Sequence, residues 1–168
     1  MKKILLLLFV PLFIFINASA QKGSGSGFGA GVNAGFGVSG FDVTGLTFTV
    51  GADIFGQHNF SDEFAATGDV GYHQVISKRG GGADFGIIPI RAGVRFFPGT
   101  NKNMYVGAKI GVGILTGRGF SSSTTAYSFG GGYKLNRTLD LGLTYDGYSK
   151  QGSIGLINIR FGFTFNTK

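Results

Sequence analysis

The chain has 168 residues, among them 32 glycines and 18 phenylalanines, with no cysteine and no tryptophan. Lacking cysteine, it relies on neither disulfides nor thiolate metal sites; its glycines keep a two-residue period, which excludes collagen-like and low-complexity chains. Fifteen basic residues against 8 acidic ones give a net charge of +7, but they are scattered, so no basic footprint for nucleic acid is formed.

The first segment, Met1-Lys2-Lys3 followed by the apolar run Ile4 to Ile16 and the small residues Ala18-Ser19-Ala20, has the form of a secretory signal peptide over residues 1–20. The run falls short of the ~20 residues a spanning helix needs, and Pro11 interrupts it. Cleavage after Ala20 would leave residues 21–168 as one domain, and loss of Lys2 and Lys3 would lower the net charge from +7 to +5. No later apolar run could cross a bilayer as a helix. A membrane location would therefore require strands, and eight strands of ~9–11 residues with their connections would occupy most of that length.

Alternation predicts those eight strands. The first, Gly27 to Ser39, sets Phe28, Ala30, Val32, Ala34, Phe36 and Val38 against Gly29, Gly31, Asn33, Gly35 and Gly37. The second, Val43 to Phe55, sets Leu46, Phe48, Val50, Ala52 and Ile54 against Thr47, Thr49, Gly51 and Asp53. In the third, Phe64 to Ser77, the polar face carries Thr67, Asp69, Gly71 and His73. The fourth, Phe85 to Phe97, places Pro89, Arg91, Gly93 and Arg95 opposite Ile88, Ile90, Ala92, Val94 and Phe96, with a bulge or kink expected at Pro89, which cannot donate to the ladder. The fifth, Met104 to Leu115, carries Lys109 among glycines. The sixth, Thr124 to Leu135, carries Lys134, and the seventh, Leu139 to Tyr148, carries Asp140 and Asp146. In the eighth, Gly155 to Phe165, Ile157, Ile159, Phe161, Phe163 and Phe165 alternate with Asn158, Arg160, Gly162 and Thr164.

Volume decides which face is inside. An eight-stranded barrel has an interior only just filled by side chains; it could not hold the large apolar face of every strand. The expected fold is thus all-β, an eight-stranded antiparallel up-and-down transmembrane β-barrel with a polar glycine-rich lumen and an apolar lipid-facing exterior. The lumen would hold a charge network of Asp53, Asp69, His73, Arg91, Arg95, Lys109, Lys134, Asp140, Asp146 and Arg160. Such charges are costly unless paired, so salt bridges should plug the barrel. Phe64, Phe85, Phe97, Tyr105, Tyr127, Tyr145 and Phe165 are candidates for interfacial girdles. An even strand count puts both chain ends on the periplasmic side, with turns at Gly56 to Glu63, Pro98 to Asn103 and Asn136 to Thr138. The outer loops would be Gly40 to Asp42, Lys78 to Asp84, Gly117 to Ser123 and Ser149 to Gly152.

With Ile88-Pro-Ile-Arg-Ala-Gly-Val-Arg-Phe-Phe97, Tyr105-Val-Gly-Ala-Lys-Ile-Gly-Val-Gly113 and the ladder Phe161, Phe163, Phe165, the chain resembles the small eight-stranded outer-membrane barrels of Gram-negative bacteria. These include the OmpA-type transmembrane domains, the OmpX/Ail proteins and OmpW. It looks most like the outer membrane protein beta-barrel domain family, over Gln21 to Lys168. The resemblance implies location in the cell outer membrane, no cofactor, and contact with outer-membrane lipid and lipopolysaccharide. It also implies insertion by the barrel-assembly machinery, with Phe161, Phe163 and Phe165 as the assembly signal, and a monomer. Family members commonly end on an aromatic residue; here Asn166-Thr167-Lys168 follow, so Phe165 would take that part.

Other chemistry finds little support. Gly29-x-Gly31-x-x-Ala34 mimics a dinucleotide fingerprint, but its glycines continue at every second position and no helix follows. Asp69, His73 and Ser77 share a strand face, yet residues four apart on a strand are separated by ~13 Å, too far for a nucleophile and its base. His58 and His73 are remote in sequence, so no metal site is expected. Lys78-Arg79-Gly-Gly-Gly82 reads as a solvated turn that could touch lipopolysaccharide phosphates, and Asn59-Phe-Ser61 and Asn136-Arg-Thr138 match a glycosylation sequon by accident. The leading expectation is a structural or surface-interaction barrel without enzymatic activity, ahead of a small porin-like passage for small or apolar solutes. A lipid-modifying barrel enzyme comes third.

Overall fold

The structure, a computed structural model, describes residues 27–40, 46–78, 84–117, 119–150 and 153–165. The expected signal peptide, the start of the second strand at Val43, the Arg79 to Gly82 stretch and Asn166 to Lys168 lie outside them. The chain forms one closed barrel in which each strand pairs antiparallel with its neighbours in sequence and the last returns to the first. The strands are β1 (Gly27–Ser39), β2 (Leu46–Asn59), β3 (Phe64–Lys78), β4 (Phe85–Phe96), β5 (Met104–Gly117), β6 (Phe120–Lys134), β7 (Leu139–Ser149) and β8 (Ser153–Phe165). Closure removes every sheet edge, and with it the unpaired N–H and C=O groups that a bilayer could not satisfy.

Two strands, β2 and β6, run four residues past an expected end, whereas β3, β5, β7 and β8 gain one or two. β2 continues through Gly56–Asn59, which pairs with Ala65–Gly68 of β3, so the turn there is only residues 60–63. Gly-Gln-His-Asn has turn composition, but the Gln57 amide bonds Asn59 Oδ1 at 2.8 Å and Thr67 Oγ1 donates to the Gly56 carbonyl at 3.1 Å. β6 begins at Phe120 rather than Thr124, because Phe120–Ser123 pairs with Ile114–Gly117. Gly119, at φ 79°, makes the intervening turn, a conformation open to glycine at little cost.

Pro89 does not produce the expected bulge. Val70↔Ile90 and His73↔Ile87 keep one register across β3 and β4, so the ladder lapses between them without a shift. On its other side Pro89 stays opposite Gly113. The register shift among the described strands that does resemble a bulge lies between Gly37 and Ser39, against β8.

The apolar face points outward: Val32, Ile110, Phe129 and Leu143 are more than half exposed, Ile110 at 66%. Asp53, Asp69, Arg91, Asp140 and Asp146 are buried within the wall. A soluble barrel would invert this, so the pattern is one for lipid outside. The glycines have a packing reason as well. A Cβ on Gly113 would meet the Tyr148 ring at 2.8 Å, and one on Gly29 would meet Phe55 at 2.5 Å; the bare backbone is the seat on which these rings lie.

The lumen is less uniformly polar than expected. At the mouth away from the chain ends, Val75, Ile87, Ala126, Tyr148 and Leu156 form an apolar cluster, with Phe85, Leu115 and Ile154 against it. At the other mouth Ala65, Phe97 and Tyr105 form a second. Phe85, Phe97 and Tyr105 are thus luminal packing groups, and the girdle reading is corrected for them. Phe64, at 41% exposure, and Phe165, at 42%, do face outward. Tyr127 and Tyr145 lie side by side on the same outer face, with ring centroids 6.3 Å apart.

Candidate functional site

Between the two apolar caps lies a layer of charge. Arg91, projecting inward from β4, is its centre. Its Nε and Nη2 form a fork on the carboxylate of Asp69, one strand away, with Nη2 to Oδ2 at 2.7 Å. Its Nη1 reaches Asp146 Oδ1 on β7 at 2.6 Å, and β7 is three strands from β4 in the closed order. This single side chain therefore ties opposite parts of the wall. Lys109 Nζ adds a contact to Asp69 at 3.0 Å. Asp146 also accepts from Asn158 Nδ2 at 2.7 Å, and Asn158 Oδ1 accepts from Thr49 Oγ1 at 2.7 Å. The side chains of Arg91, Asp69 and Asp146 are at most 4% exposed.

A second group lies toward the mouth with the chain ends. Arg160 of β8 grips Asp53 of β2 through Nε, at 2.9 Å, and Nη2, at 2.5 Å; its Nη1 stands 3.5 Å from Asp140. Tyr105 donates to Asp140 at 3.0 Å. Asn33 Nδ2 lies 3.5 Å from both Asp53 Oδ2 and His73 Nε2. The Arg160 guanidinium covers the Phe55 ring at 4.5 Å. Forked arginine–carboxylate contacts are among the strongest polar pairs, and charges as buried as these each need a partner.

Asp53, Asp69, His73, Arg91, Arg95, Lys109, Lys134, Asp140, Asp146 and Arg160 all lie on the luminal face of their strands, but in separate groups. Arg95 and Lys134 stand apart near the mouth. Arg95 Nη1 donates to Gln57 Oε1 at 2.9 Å and its guanidinium covers the Tyr105 ring at 4.5 Å; Lys134 Nζ lies over Phe97 at 4.3 Å. Sequence reasoning put Asn33 and Asn158 on the polar face without giving them a place in the network, and it passed over Phe55 and Tyr148 as members of this interior. The even spacing of Phe55 from Asp53 and of Tyr148 from Asp146 was the available signal. Phe161, Phe163 and Phe165 line the outer face where β8 closes on β1, with Phe28 and Phe165 centroids 5.5 Å apart.

Asp69 and His73 do not converge with Ser77. Asp69 is taken by Arg91 and Lys109, the His73 ring lies beside Asn33, and the Ser77 backbone N–H donates to Asp84. Among the described residues, no group of three or more His, Cys, Asp or Glu is placed to hold a metal ion. Asn136 serves its turn: Oδ1 accepts from the N–H groups of Thr138 and Leu139, both at 2.8 Å.

Solved structures with the same architecture include the attachment invasion locus protein Ail of Yersinia pestis, 16% identical, with a TM-score of 0.53 over 83% of this chain and 97% of that one. Neisserial surface protein A is 17% identical, with a TM-score of 0.58 over 86% of this chain and 100% of that one. A de novo designed transmembrane β-barrel is 14% identical, with a TM-score of 0.51 over 86% and 99%. No curated protein matches the chain. The outer membrane protein beta-barrel domain family matches residues 7–166. A closed eight-stranded wall, apolar outside and salt-bridged within, together with that match over nearly the whole length, makes this chain a member of the outer membrane protein beta-barrel domain family and an integral protein of the outer membrane.

Proposed function

We propose that the protein is a closed, non-enzymatic barrel with a structural or surface-interaction role. The observation that carries this reading is Arg91, which spans from Asp69 on β3 to Asp146 on β7 and occupies the middle of the lumen. A conducting pore of this size would need a continuous water path, whereas here paired charges fill the centre and apolar clusters cover them at both ends. On this reading the mouth with both chain ends faces the periplasm. The outer wall meets lipid and lipopolysaccharide as a monomer, and Phe161, Phe163 and Phe165 present the signal to the barrel-assembly machinery.

Planar-bilayer conductance of the refolded chain tests the proposal, after an unboiled gel has established that the barrel is compact. A folded barrel that inserts and stays electrically silent is expected. Steady, discrete conductance steps would overturn it and make the protein a small channel.

A further inference from the structure

The luminal charges do not pair evenly. Three cations, Arg91, Lys109 and Arg160, engage all four luminal carboxylates, Asp53, Asp69, Asp140 and Asp146. Arg95 and Lys134 are left over, and among the described residues neither forms a salt bridge. Asp140 stands opposite Lys134 in the β6–β7 register, but its Oδ1 is turned to Tyr105 and Arg160. Both unpaired cations sit at the same mouth, the one carrying the chain ends, because β4 and β6 both end there.

Their setting is aromatic and built. Arg95 is 8% exposed and its guanidinium lies over Tyr105, with Phe55 beyond at 5.7 Å. Lys134 covers Phe97, and the Phe97 and Tyr105 centroids are 6.0 Å apart. The two cations thus flank one aromatic pair and lie against its ring faces, with no carboxylate of the described residues in salt-bridge contact. Ring contacts fix the charges in place without neutralising them. Among the described residues Arg95 makes one hydrogen bond, to Gln57, although a guanidinium has five N–H donors; Lys134 has an ammonium with three. Two like charges on a partly dry surface repel each other, and an oxyanion between them would relieve that repulsion while taking up the spare donors.

We propose that this mouth is a binding site for a small oxyanion, a carboxylate or phosphate of a soluble molecule, held between Arg95 and Lys134 with Gln57 at its side. Phe55, Phe97 and Tyr105 form its floor and limit it to a compact ligand.

The test is calorimetric titration of the refolded barrel, in nonionic micelles at low ionic strength, with inorganic phosphate and separately with acetate. Saturable binding of at least one is expected. Arg95→Gln and Lys134→Gln should each weaken it at least about tenfold, the loss of one charge-assisted contact. Arg137→Gln, in the exposed turn beside Lys134, should bind as wild type. Absence of saturation with both anions up to about 10 mM, weaker than the millimolar range of small ligands, would overturn the proposal. So would equal weakening by Arg137→Gln, which would mean nonspecific charge attraction. If Arg95→Gln does not refold, Lys134→Gln decides the matter: wild-type affinity in that variant would also overturn the site.

Discussion

Replacing Arg91 with methionine is expected to destabilise the barrel by about 3–5 kcal/mol, the range for breaking a buried ion pair by removing one partner. Methionine fills a similar volume, so the loss would be electrostatic. Asp146 would lose its arginine and keep Asn158, and Asp69 would keep only Lys109. The check is reversible denaturant unfolding in micelles or thin bilayers, read by the gel mobility of folded and unfolded chain. The double variant Arg91→Met with Asp146→Asn removes the stranded charge and should recover part of the loss. If the double variant were less stable than Arg91→Met alone, the penalty would not come from an uncompensated carboxylate.

Ile110→Arg should cost about 2–4 kcal/mol and impair insertion, the range for arginine near the bilayer midplane on a barrel's outer face. Ile110 is among the most exposed apolar residues of the wall and sits between the outward Ala108 and Val112 on β5. Ile110→Val should change stability by less than about 1.5 kcal/mol, since it removes one methylene. Insertion assayed in lipid vesicles separates the two. An Ile110→Arg barrel that inserted and resisted denaturant like wild type would place this face away from lipid.

The strands were readable because alternation has a physical cause that sequence preserves. Each β1 residue from Phe28 to Val38 must suit either lipid or a crowded lumen, and its bounds follow from that alone. Composition misled where turn-like residues pair anyway. Gly56 to Asn59 and Ser121 to Ser123 are strand because their neighbours offer a ladder, and no local signal states that. The aromatic residues near strand ends show a second limit. Tyr105 stands between the outward Met104 and Val106, so strict parity puts it inside with Gly107, whereas girdle reasoning from position alone put it outside. Parity won because the pleat leaves no choice of face.

The interior charges were legible as a set but not as pairs. Arg91 and Asp69 are neighbours in register, so their contact follows from strand order. Arg91 and Asp146 meet only because the barrel closes with β7 facing β4 across the lumen. The division into a paired centre and two unpaired cations at one mouth depends on that closure, and no spacing in the chain encodes it.

The most direct test of a filled lumen uses the absence of cysteine from the chain. Ser128→Cys puts a thiol at a luminal position that is 3% exposed, and Ser61→Cys puts one in an exposed turn. Each variant, refolded into liposomes, is treated with a small water-soluble thiol reagent. The cysteine at position 61 is expected to label readily while that at 128 stays unlabelled until the barrel is denatured. Labelling of both at comparable rates in the folded barrel would mean that water and solutes pass the Arg91 layer, and would contradict a filled lumen.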